Sequence, residues 1–201
     1  LSYAGPPAGN DTADARWLLG EDLPPPIGAI RDMQDPPAFG QPDMMSSGLW
    51  ETSLEAQAFD NGAVHTNSGV GNKAAYLMTD GDTFNGITVA GIGADKVAHI
   101  WYATDQTLTS GADYADMYSV MQQACANLVG GPTGITSADC AEVKKALDAV
   151  QMSQPANETP IPQARKCGAG ATVVGAVAGA AAPRVREGLL PTDREVAERL
   201  R

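Results

Sequence analysis

A chain of 201 residues with 43% hydrophobic residues can build a core, and its 22 Gly and 14 Pro assign much of the remainder to turns. Twenty-four acidic against 13 basic residues give a net charge of -11, which argues against a nucleic-acid backbone or an anionic membrane as partner, since either demands clustered Lys and Arg. No charged and then apolar leader opens the chain, so either one has been removed or the sequence starts partway into a longer protein; the aperiodic opening LSYAGPPAGNDTADAR favours the second.

Residues 1–16 read as an irregular lead-in. WLLGED at 17–22 is a short apolar and acidic segment that carries Glu21. Leu23 follows, and then Pro24-Pro25-Pro26, which breaks any helix and predicts an extended run. The segment 27–33 contains Ile30 and Arg31. A guanidinium is a fixed cation with forked donors, suited to a carbonyl or carboxylate oxygen; the alternative is a structural arginine tying the loop to Asp32, Asp35 or Asp60. Residues 35–37 and 40–43 are turn material. The stretch that organises the chain is DNGAVHTNSGVGNKAAYLM, residues 60–78. It holds His65, one of two histidines, five residues after Asp60 in a tight Asp-Asn-Gly turn. Such a pair is either a histidine oriented by a carboxylate and used on a substrate or a buried histidine bonded to a turn. A helix is predicted over 64–78. Val64, Ser68, Gly71, Ala75 and Met78 share one face, and Gly69, Gly71, Ala74 and Ala75 are small enough to let another helix pack closely.

Asp80-Gly81-Asp82 ends that helix as a turn, because further calcium ligands do not follow at loop spacing. Residues 84–93 read as a glycine-punctuated connector; Gly91-Ile92-Gly93 lacks the third glycine of a dinucleotide fingerprint. His99 precedes Ile100-Trp101-Tyr102, an apolar run expected to be buried, and without an acidic neighbour it reads as a surface or packing residue. Tyr114, Met117, Tyr118, Met121, Cys125 and Leu128 repeat at helical spacing and predict a second helix over 113–129. Thr136 and Asp139 form a capping box that opens a third, with Cys140, Val143, Leu147 and Val150 as its buried stripe. Cys125 and Cys140 thus face the core from adjacent helices, as a disulfide or as two buried thiols; none of the three cysteines, Cys167 included, has zinc spacing. Residues 153–166 read as a linker. The small apolar run 168–182 falls short of the roughly 20 residues of a membrane span, although Gly175 to Gly179 has the close-packing pattern of membrane helices. Thr192 and Glu195 could cap a short charged helix over 191–201.

Three strings carry a family resemblance. D-N-G-x-V-H-x-N-S-G-x-x-N-K-A-A-Y-L over 60–77 resembles the long helix of the C-terminal domain of thermolysin-like zinc metallopeptidases. G-E-D, an apolar residue, and then R-x-M-x-D-P-x-x-x-G-x-P-D precede it in the family's order, and G-I-G-x-D-K follows in its place. The resemblance covers residues 17 to about 150. It implies a mainly α, helical-bundle fold with little sheet over 17–152 and says nothing of residues 153–201, which composition alone reads as a linker and a low-complexity Gly/Ala tail. It implies that His65, oriented by Asp60, hydrogen-bonds the oxyanion of the hydrated peptide. By the same resemblance Arg31 binds the substrate carbonyl beside the cleavage point, and Leu23 and Ile30 line the pocket for the residue after it. Glu21 matches a calcium-binding glutamate, but Arg16 stands where a ligating carboxylate would be, and a hard cation needs several oxygens, which puts calcium in doubt. Secretion is implied too, and favours a Cys125–Cys140 disulfide.

Peptide hydrolysis in that family requires a zinc-activated water held by H-E-x-x-H and a downstream glutamate. This chain has neither histidine of that motif. The expectation is therefore the C-terminal half of a secreted zinc endopeptidase, with zinc in an N-terminal half, a peptide or protein as substrate, and no turnover from this chain alone. The competing expectation is a catalytically inert remnant or protein-binding domain of the same fold.

Overall fold

The computed structural model describes residues 15–157, and the expectations for the tail beyond them and for the opening residues lie outside that range. The expected mainly helical architecture with little sheet holds: four long helices carry the core, and two small antiparallel ladders flank them. Helix α3, Gly69–Asp80, packs on α4, Ala94–Asp105, and on α6, Ser137–Ala149; α5, Tyr114–Leu128, packs on α4 and α6. Val70, Leu77, Ile100, Met121, Val143 and Leu147 are sealed from solvent at the centre.

Both later helices start where their caps dictate. The Thr136 hydroxyl accepts from the Asp139 backbone N–H at 3.2 Å while the Asp139 carboxylate accepts from Thr136 N at 2.7 Å, and Asp113 with Asp116 forms the same box at α5. Lys96 Nζ then reaches Asp139 at 2.9 Å and ties α4 to the start of α6. Cys125 and Cys140 are joined as a disulfide across α5 and α6, with Cα atoms 5.7 Å apart.

Several expectations are corrected. The single helix over 64–78 is two pieces, α2, Val64–Asn67, and α3, with the joint at Ser68. The buried face of α3 is Val70, Ala74, Leu77 and Met78, whereas Val64 is exposed. Gly69 admits a loop instead of a helix: a Cβ there would stand 2.3 Å from Pro42 O. The connector is a hairpin, β3, Gly81–Phe84, with β4, Ile87–Ala90, turned by Asn85 (φ 50°) and Gly86 (φ 77°). Residues 94–105 form α4, of which only Ile100 of the expected apolar run is fully buried; Tyr102 is exposed. The proline run is a turn, closed by Ile27 N donating to Pro24 O at 3.0 Å, where an extended segment was expected. It joins two short strands, β1, Leu18–Leu19, and β2, Arg31–Asp32, paired antiparallel with Leu19 opposite Arg31.

Candidate active site

The turn before α2 sets the geometry of the expected pair. A six-residue helix α1, Leu54–Phe59, ends at Asp60, and the next three residues all take positive φ: Asn61 at 46°, Gly62 at 85° and Ala63 at 65°. This left-handed run folds the chain back so that Asp60 caps the following turn. One carboxylate oxygen accepts from His65 N at 3.2 Å, and the other accepts from the ring Nδ1. The bond from His65 holds the Asp60 carboxyl below its ordinary range. The imidazole is 80% exposed, so it is not the buried histidine of the alternative reading, and Nε2 is the nitrogen left for a ligand.

Arg31 comes to the same turn from β2. Its Nη1 donates to Ser68 Oγ at 2.8 Å and its Nη2 to the backbone oxygen of His65 at 3.2 Å. It does not pair with Asp32, Asp35 or Asp60, the structural partners the sequence suggested. The Asp32 carboxylate instead accepts from the backbone N–H groups of Gln34 and Asp35. β2 is held from below by α3. Lys73, 7% exposed, donates to Gln34 O at 2.8 Å, and its ammonium lies 4.6 Å from the Phe84 ring centroid. Burial lowers the Lys73 pKa, and the surrounding carboxylates, Asp82 first, only partly offset it. Gln34 Nε2 donates to Tyr76 Oη, which donates to Asp82; burial, then Asp82, pushes the Tyr76 phenol up to about 12.

The back of α2 is fastened as firmly. Asn67 Oδ1 accepts from Glu51 N at 2.9 Å, Asn67 Nδ2 donates to Glu51 O at 3.0 Å, and Asn67 O accepts from Tyr114 Oη at 2.9 Å. Burial pushes the Tyr114 phenol up to about 12. An open cavity of about 380 Å³ lies beside the turn, lined among others by Trp50, Val64, Ser68, Tyr114 and Met117. Sequence reasoning missed Ser68, Gln41, Asn67 and Tyr114. Only the position of Ser68, three residues after His65, could have signalled one of them.

The structure gathers His65, Asp60 and Arg31 at one turn. Leu23 and Ile30 converge on Gly20, where an added Cβ would lie 2.9 Å from Leu23 Cδ1 and 3.5 Å from Ile30 Cγ1; both side chains are partly exposed. Glu21 is exposed. Arg16 Nη2 lies 2.8 Å from Asp80 Oδ1, and Trp17 Nε1 donates to the other oxygen of Asp80 at 2.7 Å. His99 is half-buried on α4. Among the described residues no three or more His, Cys, Asp or Glu side chains are grouped so as to hold a metal ion.

The thermolysin metallopeptidase alpha-helical domain matches this chain over residues 7–152. The chain belongs to that family. It is 42% identical over 144 residues to a zinc metalloproteinase of Renibacterium salmoninarum, covering 70% of this chain and 26% of that protein. It is 40% identical over 144 residues to bacillolysin of Bacillus cereus, covering 70% and 24%. To thermolysin of Alicyclobacillus acidocaldarius subsp. acidocaldarius it is 40% identical over 138 residues, covering 67% and 23%. The chain thus spans about a quarter of the length of the curated relatives it matches. As a thermolysin-like domain it represents the C-terminal, helical part of a zinc metallopeptidase architecture. No helix among the described residues is long and apolar enough to cross a membrane.

Proposed function

We propose that this chain supplies transition-state stabilisation and part of the substrate groove to a secreted zinc endopeptidase. The zinc and its ligands belong to a segment outside these 201 residues, and a peptide or protein is the substrate. The observation that carries the reading is the exposed His65 imidazole with Nδ1 fixed on Asp60. A ring whose Nδ1–H is held by a carboxylate becomes, once protonated at Nε2, a cationic donor aimed outward, suited to an oxygen that gains negative charge during carbonyl addition. Asp60 fixes the ring's orientation and compensates its charge without touching substrate. Arg31 reaches the same turn from β2, and its Nη2, which gives the His65 oxygen an exposed 3.2 Å bond, is a donor suited to a peptide carbonyl. Leu23 and Ile30, gathered at Gly20 with apolar surface exposed, offer a place for the side chain after the cleaved bond.

The test combines this chain with a zinc-loaded N-terminal half of a family member and follows casein cleavage. His65→Ala should lower kcat by about two to three orders of magnitude, as removal of one oxyanion donor does. Its thermal midpoint should not move, because the ring is 80% exposed. Equal rates for both chains would mean that the pair is not part of the chemistry.

A further inference from the structure

The backbone oxygen of His65 takes three donors: Ser68 Oγ at 3.0 Å, Arg31 Nη2 at 3.2 Å and Gln41 Nε2 at 3.3 Å. A carbonyl oxygen offers two lone pairs, so one donor is surplus. Two of the three are held in place by the fold. Ser68 is the joint between α2 and α3. Gln41 is 8% exposed, and its Cβ presses on Gly69, where an added Cβ would approach it to 2.9 Å. Arg31 is tethered by its other amino group, Nη1, to the same Ser68 oxygen at 2.8 Å. Ser68 is therefore a pivot: its oxygen receives from Arg31 while its own proton goes to His65 O.

We infer that Gln41 and Ser68 are positioning residues for Arg31. Between them they satisfy the His65 carbonyl, so Arg31 Nη2 can pass to a substrate carbonyl without stranding the acceptor it leaves. The bonds to the His65 oxygen are exposed or half-buried, so an acceptor deprived of its donors forfeits about the net worth of a hydrogen bond, whereas exchange of one N–H···O bond for another is close to neutral. Gln41 shows the cost of the arrangement in its own amide. Its Oε1 is buried without a partner, and turning the amide to pair it would bring oxygen against oxygen at His65. The residue leaves one atom unsatisfied and keeps its donor on that carbonyl. Without Gln41 or Ser68, Arg31 becomes one of two required donors, and substrate must compete with the chain for it. The inference rests on the role proposed above for Arg31.

In the peptidase assembled from this chain and a zinc-loaded N-terminal half, Gln41→Met keeps the length of the side chain and removes the donor. It should raise KM for a peptide substrate about three- to tenfold, the scale of one hydrogen bond, with kcat and the pH profile held because the Asp60–His65 pair is untouched. Ser68→Ala should act alike, and Ser68→Thr, which keeps the hydroxyl, should restore KM. Gln41→Glu sets a carboxylate beside the guanidinium and should raise KM further. In the 201-residue chain alone, Gln41→Met should move the carbonyl 13C resonance of His65 and leave its ring resonances in place. Unchanged KM in Gln41→Met and Ser68→Ala, alongside a raised KM in Arg31→Ala, would overturn the inference and leave the Arg31 reading standing. Unchanged KM in Arg31→Ala would overturn both. A fall in kcat with a displaced pH profile would assign Gln41 and Ser68 to His65 instead, and overturn the inference as stated.

Discussion

The two parts of this domain are fastened by different forces. From α3 to α6 the contacts are chiefly apolar: Leu77, Met78, Ile100, Met121, Val143 and Leu147 are sealed from water, a disulfide joins α5 to α6, and Lys96–Asp139 and Tyr118–Asp148 add single polar ties. From residue 15 to the end of α2 less apolar surface is sealed: Pro36, Pro42, Met45 and Ala63 are buried there, and Trp17 and Trp50 pack half-buried on the core. Besides those contacts, that part is held to the helices by individual polar side chains: Lys73 on Gln34 O, Tyr76 on Gln34, Asp80 on Arg16 and Trp17, and Tyr114 on Asn67 O. Apolar packing is non-directional and tolerates small shifts. A hydrogen bond fixes a distance and an angle. The residues expected to meet substrate all lie in the second part, where position depends on individual bonds.

Three substitutions or conditions separate the two modes. The largest effect belongs to the helical part: Leu77→Ala, at a fully buried position, should cost about 2–5 kcal/mol in denaturant unfolding and leave the His65 ring resonances where they were. Displaced His65 ring resonances would show that the two parts are less separable than this. Next is Asn67→Ala, which removes both bonds to the Glu51 backbone and should cost about 1–3 kcal/mol. Hydrogen exchange should then quicken at the amide of Glu51 before it quickens anywhere in α6. The smallest is a pH effect. Tyr76 and Tyr114 are pushed up from 10.0 to about 12, so the fold favours their protonated forms. Their contribution to stability is complete below pH 10 and is lost as pH rises from there to about 12. Lys73 acts in the opposite sense: its lowered value makes the unfolded chain bind more protons on the approach to its ordinary 10.5, which raises stability there. Tyr114→Phe should make the alkaline decline shallower, and an unaltered slope would remove Tyr114 from the account.

How much of this could be read from the sequence follows the same division. The helices α5 and α6 are legible because apolar residues recur at helical spacing and Thr136 with Asp139 marks a start; those stripes bring Cys125 and Cys140 to the core as a disulfide or two thiols, and only the secretion implied by the family resemblance favours the bond that is found. The hairpin was legible and passed over: Asn85-Gly86 between short β-branched runs is a turn signal, obscured by the glycines around it. Helix α4 is hidden for a different reason: Val97, Ile100 and Thr104 are its only buried residues, too few to mark a period beside the consecutive apolar run 100–102. The Asp60–His65 pair is local in sequence, so its spacing announces it. Arg31 meets partners 34 and 37 residues away, a backbone oxygen and a serine hydroxyl, which no short-range pattern encodes. The opposed carboxylates suggested by proximity in sequence were the wrong partners because Asp32 is occupied by its own turn.

The clasp of Arg16 and Trp17 on Asp80 has a practical bearing on handling. Its cation is covalently part of the polypeptide, so the clasp itself needs no dissolved ion to form. Added salt can weaken only the ionic member of the clasp, through screening, while the indole bond endures, and the entry strand stays moored to the far end of α3 in media that would strip a protein fastened by dissolved ions.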